Sequence, residues 1–255
     1  MGAVQFASAW VPSLQLNCPM SNGSLPLRTA ALVTWLALLG SVIAAPFAEM
    51  YVLPKLVVPY QAAETARNIA AHEGLFTAGI FAYFVTFILD LVLTWSLYHL
   101  LKPVNKPLAQ LTAGFRLVYT LIALVALNNL VTALRLDTTP EYGTLLGSPE
   151  QAQALAMVYL RAFKNHWYFG LLVFGTHLLM LGYLVFRSGY IPRVLGVALA
   201  ITGLGYLLTS LRPYVAPNLN VDFAMFTFFG ELLFMGWLLV RGHRIAESPQ
   251  PKVLL

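Results

Sequence analysis

Long apolar stretches alternate with short polar segments along most of this chain. At a rise of 1.5 Å per residue, stretches of about 18 to 27 residues are long enough to cross the ~30 Å hydrocarbon core of a bilayer. The pattern therefore predicts an all-α, polytopic membrane protein with six transmembrane helices. Their predicted ranges are 29–48, 75–101, 111–134, 168–186, 194–211 and 223–240.

Two of the polar segments have the periodicity of amphipathic helices. Residues 61–71 place Ile69 and several alanines on one face. Residues 148–164 begin with Ser148 in an N-cap position and Pro149 at the first helical position. We expect two extracytoplasmic amphipathic helical segments that lie at the membrane surface or outside it.

The two ends of the chain lack a spanning pattern. Residues 1–28 are predicted to be a disordered N-terminal extension, because their beginning has neither the basic region nor the continuous apolar core of a signal peptide. Met20 begins a more ordinary start and is a candidate for the true initiator. Residues 242–255 are predicted to be a cytoplasmic tail, which leaves 29–241 as the transmembrane domain.

Charge sets the predicted orientation. Lys and Arg total 15 against 10 Asp and Glu, and charged residues make up only 10% of the chain. Basic residues in short loops near span ends mark the cytoplasmic side of a membrane protein. In this chain, the basic residues predicted on the same side as the two termini are Arg28, Lys102, Lys106, Arg187, Arg193, Arg241 and Arg244. We therefore predict a multi-pass protein of the inner (plasma) membrane with both termini in the cytoplasm. The lipid bilayer, rather than nucleic acid, is its expected partner.

Four ionisable side chains fall inside predicted spans. By helical rise, Asp90, His177 and Glu231 lie about 14 to 16 Å from the cytoplasmic ends of their spans, and Arg116 lies about 8 Å from its own. An unpaired charge at a helix centre costs at least ~2.5–3.5 kcal/mol, so pairing is expected. Our hypothesis is one interior cluster in which Asp90 and Arg116 form an ion pair and His177 and Glu231 form a hydrogen-bonded pair.

Asn128 and Asn129, in the outer third of the third predicted span, are further candidates for this polar cluster. Intramembrane polar groups also act as simple interhelical hydrogen bonds, worth about 0.6 kcal/mol on average. This alternative applies to all six residues and is favoured for the two asparagines.

Three segments carry a resemblance to a known family. They read LVVPYQAAETARNIAAHEGLF, LLKPVNKPLAQLTAGFRLVY with Asn128 and Asn129 after it, and FGTHLLMLGYLVFRSGYIPRVLG. Together they resemble the bacterial integral membrane family called domain of unknown function 4386, over roughly 29–241. The chain departs from that family at Tyr60–Gln61, where a Gly-Asp-like turn is expected, and at Thr77, where a basic residue is expected. The resemblance implies a polytopic membrane fold and no particular reaction.

Three classes of function remain open. The first is binding, with or without movement, of a small hydrophobic or amphipathic molecule in a polar-lined midplane cavity near His177. The second is an intramembrane metal- or haem-dependent enzyme acting on a lipid-like substrate, for which His72 and His177 fall short of the usual three metal ligands. The third is a structural or regulatory membrane component without chemistry. With Cys18 as its one cysteine, the chain has no internal disulfide and no CxxC motif, and we predict no metal site.

Overall fold

Helices make up nearly all of the chain that the computed structural model describes, which is residues 25–215, 218 and 228–245, and no strand occurs in those ranges. In chain order the elements are α1 (Leu27–Pro46), a π-helical segment (Phe47–Val52), α2 (Leu53–Leu56), α3 (Ala62–Ala71), α4 (Glu73–Leu101), α5 (Lys106–Thr138), α6 (Pro140–Leu145), α7 (Pro149–Arg187), α8 (Arg193–Val215), α9 (Phe229–Arg241) and a 3-10 turn (Gly242–Arg244).

Five helical stretches in the described ranges are long and apolar enough to cross a membrane. They are the continuous stretch Leu27–Leu56 and the helices α4, α5, α7 and α8. The prediction of an all-α, multi-pass membrane protein is confirmed at this level. The predicted sixth span is described only in part, because α9 has 13 residues and residues 223–227 lie outside the described ranges, as do residues 1–24 and 246–255.

The predicted separation of residues 148–164 from the fourth span is wrong. The two segments form one helix, α7, of 39 residues. No Pro or Gly stands at 165–167 to interrupt it, so the amphipathic pattern continues directly into the apolar one. The predicted start is present, since Ser148 Oγ accepts a hydrogen bond of 3.3 Å from the Gln151 N–H.

The first span also extends further than its predicted end at residue 48. The helix widens into a π-helical turn, in which the Leu53 N–H donates to the Ala48 carbonyl five residues back. Pro54 then occupies the first turn of α2, where its missing N–H costs little. Pro54 is thus accommodated within the continuous helical stretch, and the π-helical turn sets the direction of Glu49.

The link from α2 to α3 turns at Tyr60, which has a φ of 65°. Non-glycine residues rarely adopt this left-handed region, so a glycine-type turn lies where the family resemblance placed one. The Arg161 guanidinium lies 4.3 Å from the centre of the Tyr60 ring and covers it.

The helices close into a ring. α1 packs on α4, α4 on α5, α5 on α7, α7 on α8, α8 on α9, and α9 returns to α1. We call the end that carries Lys102, Arg187, Arg193 and Arg241 the basic end. The opposite end, formed by the α2–α3 and α5–α7 connections, is the loop end, where α3 packs on α5 and α7.

Glycines bring α7 and α8 into close contact. A Cβ added at Gly182 would lie 2.6 Å from the Gly196 carbonyl oxygen and 2.9 Å from the Ala200 nitrogen. A Cβ at Gly175 would lie 2.8 Å from the Gly203 carbonyl oxygen. Because lipid supplies no hydrophobic force between helices, such backbone contact is a main source of their association.

We predict that Gly182→Ala lowers the unfolding temperature of the protein, because its methyl group forces α7 and α8 apart. Overpacking of this kind typically costs about 1–3 kcal/mol. The control is Gly114→Ala on α5, where an added Cβ meets nothing within 4 Å. That change should leave stability equal or higher, since Ala is the better helix former. Thermal unfolding in detergent micelles compares the two variants, and an equal response would contradict the prediction.

Candidate functional site

The four ionisable residues predicted for the interior lie at one depth. Asp90, Arg116, His177 and Glu231 are each roughly ten residues from the basic-end terminus of their helix, which corresponds to about 15 Å. Arg116 is deeper than predicted because α5 begins at Lys106, before the predicted start at 111. All four are therefore near the middle of a ~30 Å hydrocarbon core.

Asp90, Arg116 and His177 form a buried polar cluster, which we call the midplane triad. Arg116 Nη2 forms an ion pair with Asp90 Oδ1, and Arg116 Nη1 contacts His177 Nε2 at 3.2 Å. His177 Nδ1 lies 2.8 Å from the Thr112 carbonyl oxygen. The three side chains are 1–4% exposed. The predicted ion pair is thus present, and it connects α4, α5 and α7.

The partners of His177 assign its tautomer. A guanidinium only donates hydrogen bonds, so His177 Nε2 must accept from Arg116. A carbonyl oxygen only accepts, so His177 Nδ1 carries the proton and donates to Thr112. His177 is therefore a neutral imidazole with both nitrogens occupied, and Nε2 has no lone pair left for a metal or haem iron.

Glu231 does not form the predicted hydrogen bond with His177. The side chain of Tyr206 on α8 lies next to the Glu231 carboxylate instead. Glu231 still lies close enough to Arg116 and Asp90 to interact with them electrostatically. Counting residues along the helix predicts the depth of Glu231 correctly, but its neighbour is Tyr206 on α8 rather than His177.

Asn128 and Asn129 do not join the triad. Both stand more than ten residues beyond Arg116 on α5, about 18 Å further toward the loop end. Asn128 is exposed, and Asn129 Nδ2 donates to the Ala126 carbonyl at 3.0 Å within its own helix. His72 is also remote, with Nδ1 3.2 Å from the Asn68 carbonyl oxygen. In the described ranges no group of three His, Cys, Asp or Glu residues could hold a metal ion.

The cavity beside His177 is small. Its volume is about 10 Å³, and its lining is mostly apolar, with Thr94, Tyr98, Thr112 and His177 as the residues that carry polar side-chain atoms. This is about the space of one water molecule. The cavity predicted at this depth for a hydrophobic or amphipathic ligand is therefore too small for such a ligand in this conformation.

A layer of aromatic rings covers the triad on its loop-end side. The Phe174 ring stacks on His177 at 5.6 Å and lies 5.3 Å from the Arg116 guanidinium carbon. Above it, the Tyr83 ring packs against Phe163 at 5.2 Å and Trp167 at 5.5 Å. These rings separate the triad from the loop end of the bundle.

A larger opening lies beyond the aromatic layer, and we call it the loop-end cleft. Its volume is about 260 Å³, and it lies between the π-helical segment, α2, α5 and α7. Its lining includes the apolar residues Leu53, Val57, Leu130, Leu160 and Phe163 and the charged residues Glu49 and Lys164. The sequence did not predict this cleft. Its charged residues, Glu49 and Lys164, are far apart in the chain, and each one alone resembles an ordinary surface charge.

Glu49 is held in place by the aromatic layer. The hydroxyl of the fully buried Tyr83 donates to Glu49 Oε2. By helical rise, Glu49 and Lys164 lie about 33 to 35 Å from the basic ends of α1 and α7. The cleft is thus near the edge of a ~30 Å hydrocarbon core, at the level of lipid head groups.

The model of a protein family described as a domain of unknown function (DUF4386) matches residues 33–242 of the chain. The chain belongs to the DUF4386 family. It is also similar to an uncharacterized protein of Archaeoglobus fulgidus, with 33% identity over 168 residues, which cover 66% of this chain and 86% of that protein. No solved structure matches. The family resemblance carried by the three sequence segments is confirmed.

We predict that replacing Asp90 and Arg116 together costs this DUF4386 protein less stability than the sum of the two single replacements. Asp90→Leu leaves the Arg116 charge buried and unpaired, and Arg116→Leu does the same to Asp90. Each should cost about 3–5 kcal/mol, whereas the double variant retains no buried charge and should lose less than the sum. Thermal unfolding of the four proteins measures the coupling, and strictly additive losses would show that the pair is not a unit.

Proposed function

We propose that this DUF4386 protein binds a small amphipathic molecule in the loop-end cleft. The observation that carries the proposal is the cleft itself, about 260 Å³ of space with an apolar floor and two charged residues. Ligand sites are typically apolar concavities of about 300–1,000 Å³ with a few placed polar groups. The cleft is slightly smaller than that range, which favours a small ligand or the head of a larger one.

In this proposal the midplane triad is structural support. Asp90, Arg116 and His177 connect α4, α5 and α7 at the midplane. The same three helices supply Tyr83, Leu130 and Phe163 at the loop end. Fixing the helices below the cleft therefore fixes the relative positions of its walls.

An intramembrane enzyme that uses a metal or haem is less well supported. His177 was its deep candidate ligand, and both ring nitrogens of His177 already have protein partners. A purely structural role agrees with the triad but gives no reason for a cleft at the loop end that combines an apolar lining with two charged residues.

We predict that filling the cleft abolishes binding of amphipathic molecules. Val57→Trp places a large ring in the cleft, while Val125→Trp adds the same ring to an exposed position on α5 that does not line it. A short-chain panel of hexylamine, hexanoate, 1-hexanol, 2-aminooctanoate and dihexanoyl phosphatidylethanolamine is added to protein in maltoside micelles. At least one compound should raise the unfolding temperature of the natural protein and of Val125→Trp, because a ligand stabilises the state that binds it.

The same compound should leave Val57→Trp unchanged. If every compound acts equally on both tryptophan variants, the cleft is not the binding site and the proposal fails.

We also propose that both termini face the cytoplasm from the inner (plasma) membrane. The basic end carries Lys102, Lys106, Arg187 and Arg193 in short connections, which is the arrangement that orients membrane proteins. A fluorescent protein fused after the last residue should be bright, and alkaline phosphatase fused there should be inactive. Phosphatase inserted after Gly147, at the loop end, should be active. The opposite pattern would reverse the orientation.

A further inference from the structure

The two charged residues of the loop-end cleft come from different helices and have opposite sign. Glu49 belongs to the π-helical segment and Lys164 to α7, and both line the same 260 Å³ space. They form no ion pair with each other, since the ion pair found in the described ranges joins Arg116 and Asp90. The rest of the lining is apolar and includes Leu130, Leu160 and Phe163.

The Glu49 side of the cleft is built to receive a cation. Tyr83 fixes one carboxylate oxygen of Glu49 by a hydrogen bond, which leaves the other oxygen for a ligand.

The Lys164 side is suited to an anion. Its ammonium group has three N–H donors and no acceptor, so it pairs with a carboxylate or phosphate oxygen. Both side chains are exposed, so a ligand with a single charge would pair with one wall and leave the other to water. A ligand with both charges would satisfy the two walls at once, while its apolar part covers Leu130, Leu160 and Phe163.

We propose that the loop-end cleft takes a zwitterionic amphiphile, with an ammonium group at Glu49 and an acidic group at Lys164. This inference rests on the proposed binding function and names the class of its ligand. Two sources share the chemistry. One is the aminoethyl phosphate head group of a membrane lipid, which the depth of the cleft at head-group level suits, and the other is a free apolar amino acid.

The test measures dissociation constants from the dependence of unfolding temperature on ligand concentration. Dihexanoyl phosphatidylethanolamine represents the lipid, 2-aminooctanoate the free amino acid, and hexylamine and hexanoate the single charges. Glu49→Gln keeps an oxygen for Tyr83 but removes the negative charge, and Lys164→Met removes the positive charge. The matched controls are Glu73→Gln and Lys55→Met, which change exposed charges of the loop end that do not line the cleft.

We expect at least one zwitterion to bind the natural protein tenfold or more tightly than hexylamine and hexanoate. Glu49→Gln and Lys164→Met should each weaken that zwitterion by roughly tenfold to hundredfold, the usual size of a lost charge-assisted hydrogen bond. The control variants should bind as the natural protein does. Binding of the lipid alone identifies a head-group site, and binding of the amino acid alone identifies a free ligand. Binding of both shows that the pair of opposite charges, which the two compounds share, determines the affinity.

The proposal is overturned if a single-charge compound binds as tightly as both zwitterions, or if neither charge variant changes the affinity. In those cases Val57→Trp shows whether the cleft is still the binding site. If it still abolishes binding, the cleft binds amphiphiles without selecting a zwitterion. If it does not, the proposed binding function fails as well.

Discussion

The buried guanidinium of Arg116 is the constraint on which the rest of the bundle depends. It lies about 15 Å into a region without water, where a charge is tolerated only with close partners. Asp90 supplies the opposite charge, His177 an acceptor and Phe174 an aromatic face. Arg116 Nε is the exception, since it has no hydrogen-bond partner in the described ranges. Because these partners come from α4 and α7, the charge of α5 fixes three helices in register.

The aromatic layer gives the molecule two polar regions with different environments. Below it, the midplane triad is closed, with about 10 Å³ of space beside His177. Above it, Glu49 and Lys164 border an open cleft of about 260 Å³. Tyr83 joins the two levels, because its ring packs in the layer and its hydroxyl donates to Glu49. A rigid, dry interior thus supports a cleft at the membrane surface.

Much of the architecture follows from local sequence. Apolar stretches long enough to span a bilayer predict the five long helices, and Ser148 with Pro149 predicts the start of α7. The depths of Asp90 and His177 follow from counting residues along a helix. The ion pair of Asp90 with Arg116 was predictable as well, because two opposite charges inside membrane spans have few other partners.

The chain by itself determined its class, its family and the levels of Asp90, His177 and Glu231, since these depend on period and length along single helices. The tertiary structure alone decided which groups face one another. His177 meets Arg116 and Thr112 rather than Glu231, because partner choice depends on the rotation and order of helices in the ring. Glu49 and Lys164 share a cleft only through the π-helical turn and the packing of α7, which bring together residues that no local pattern connects.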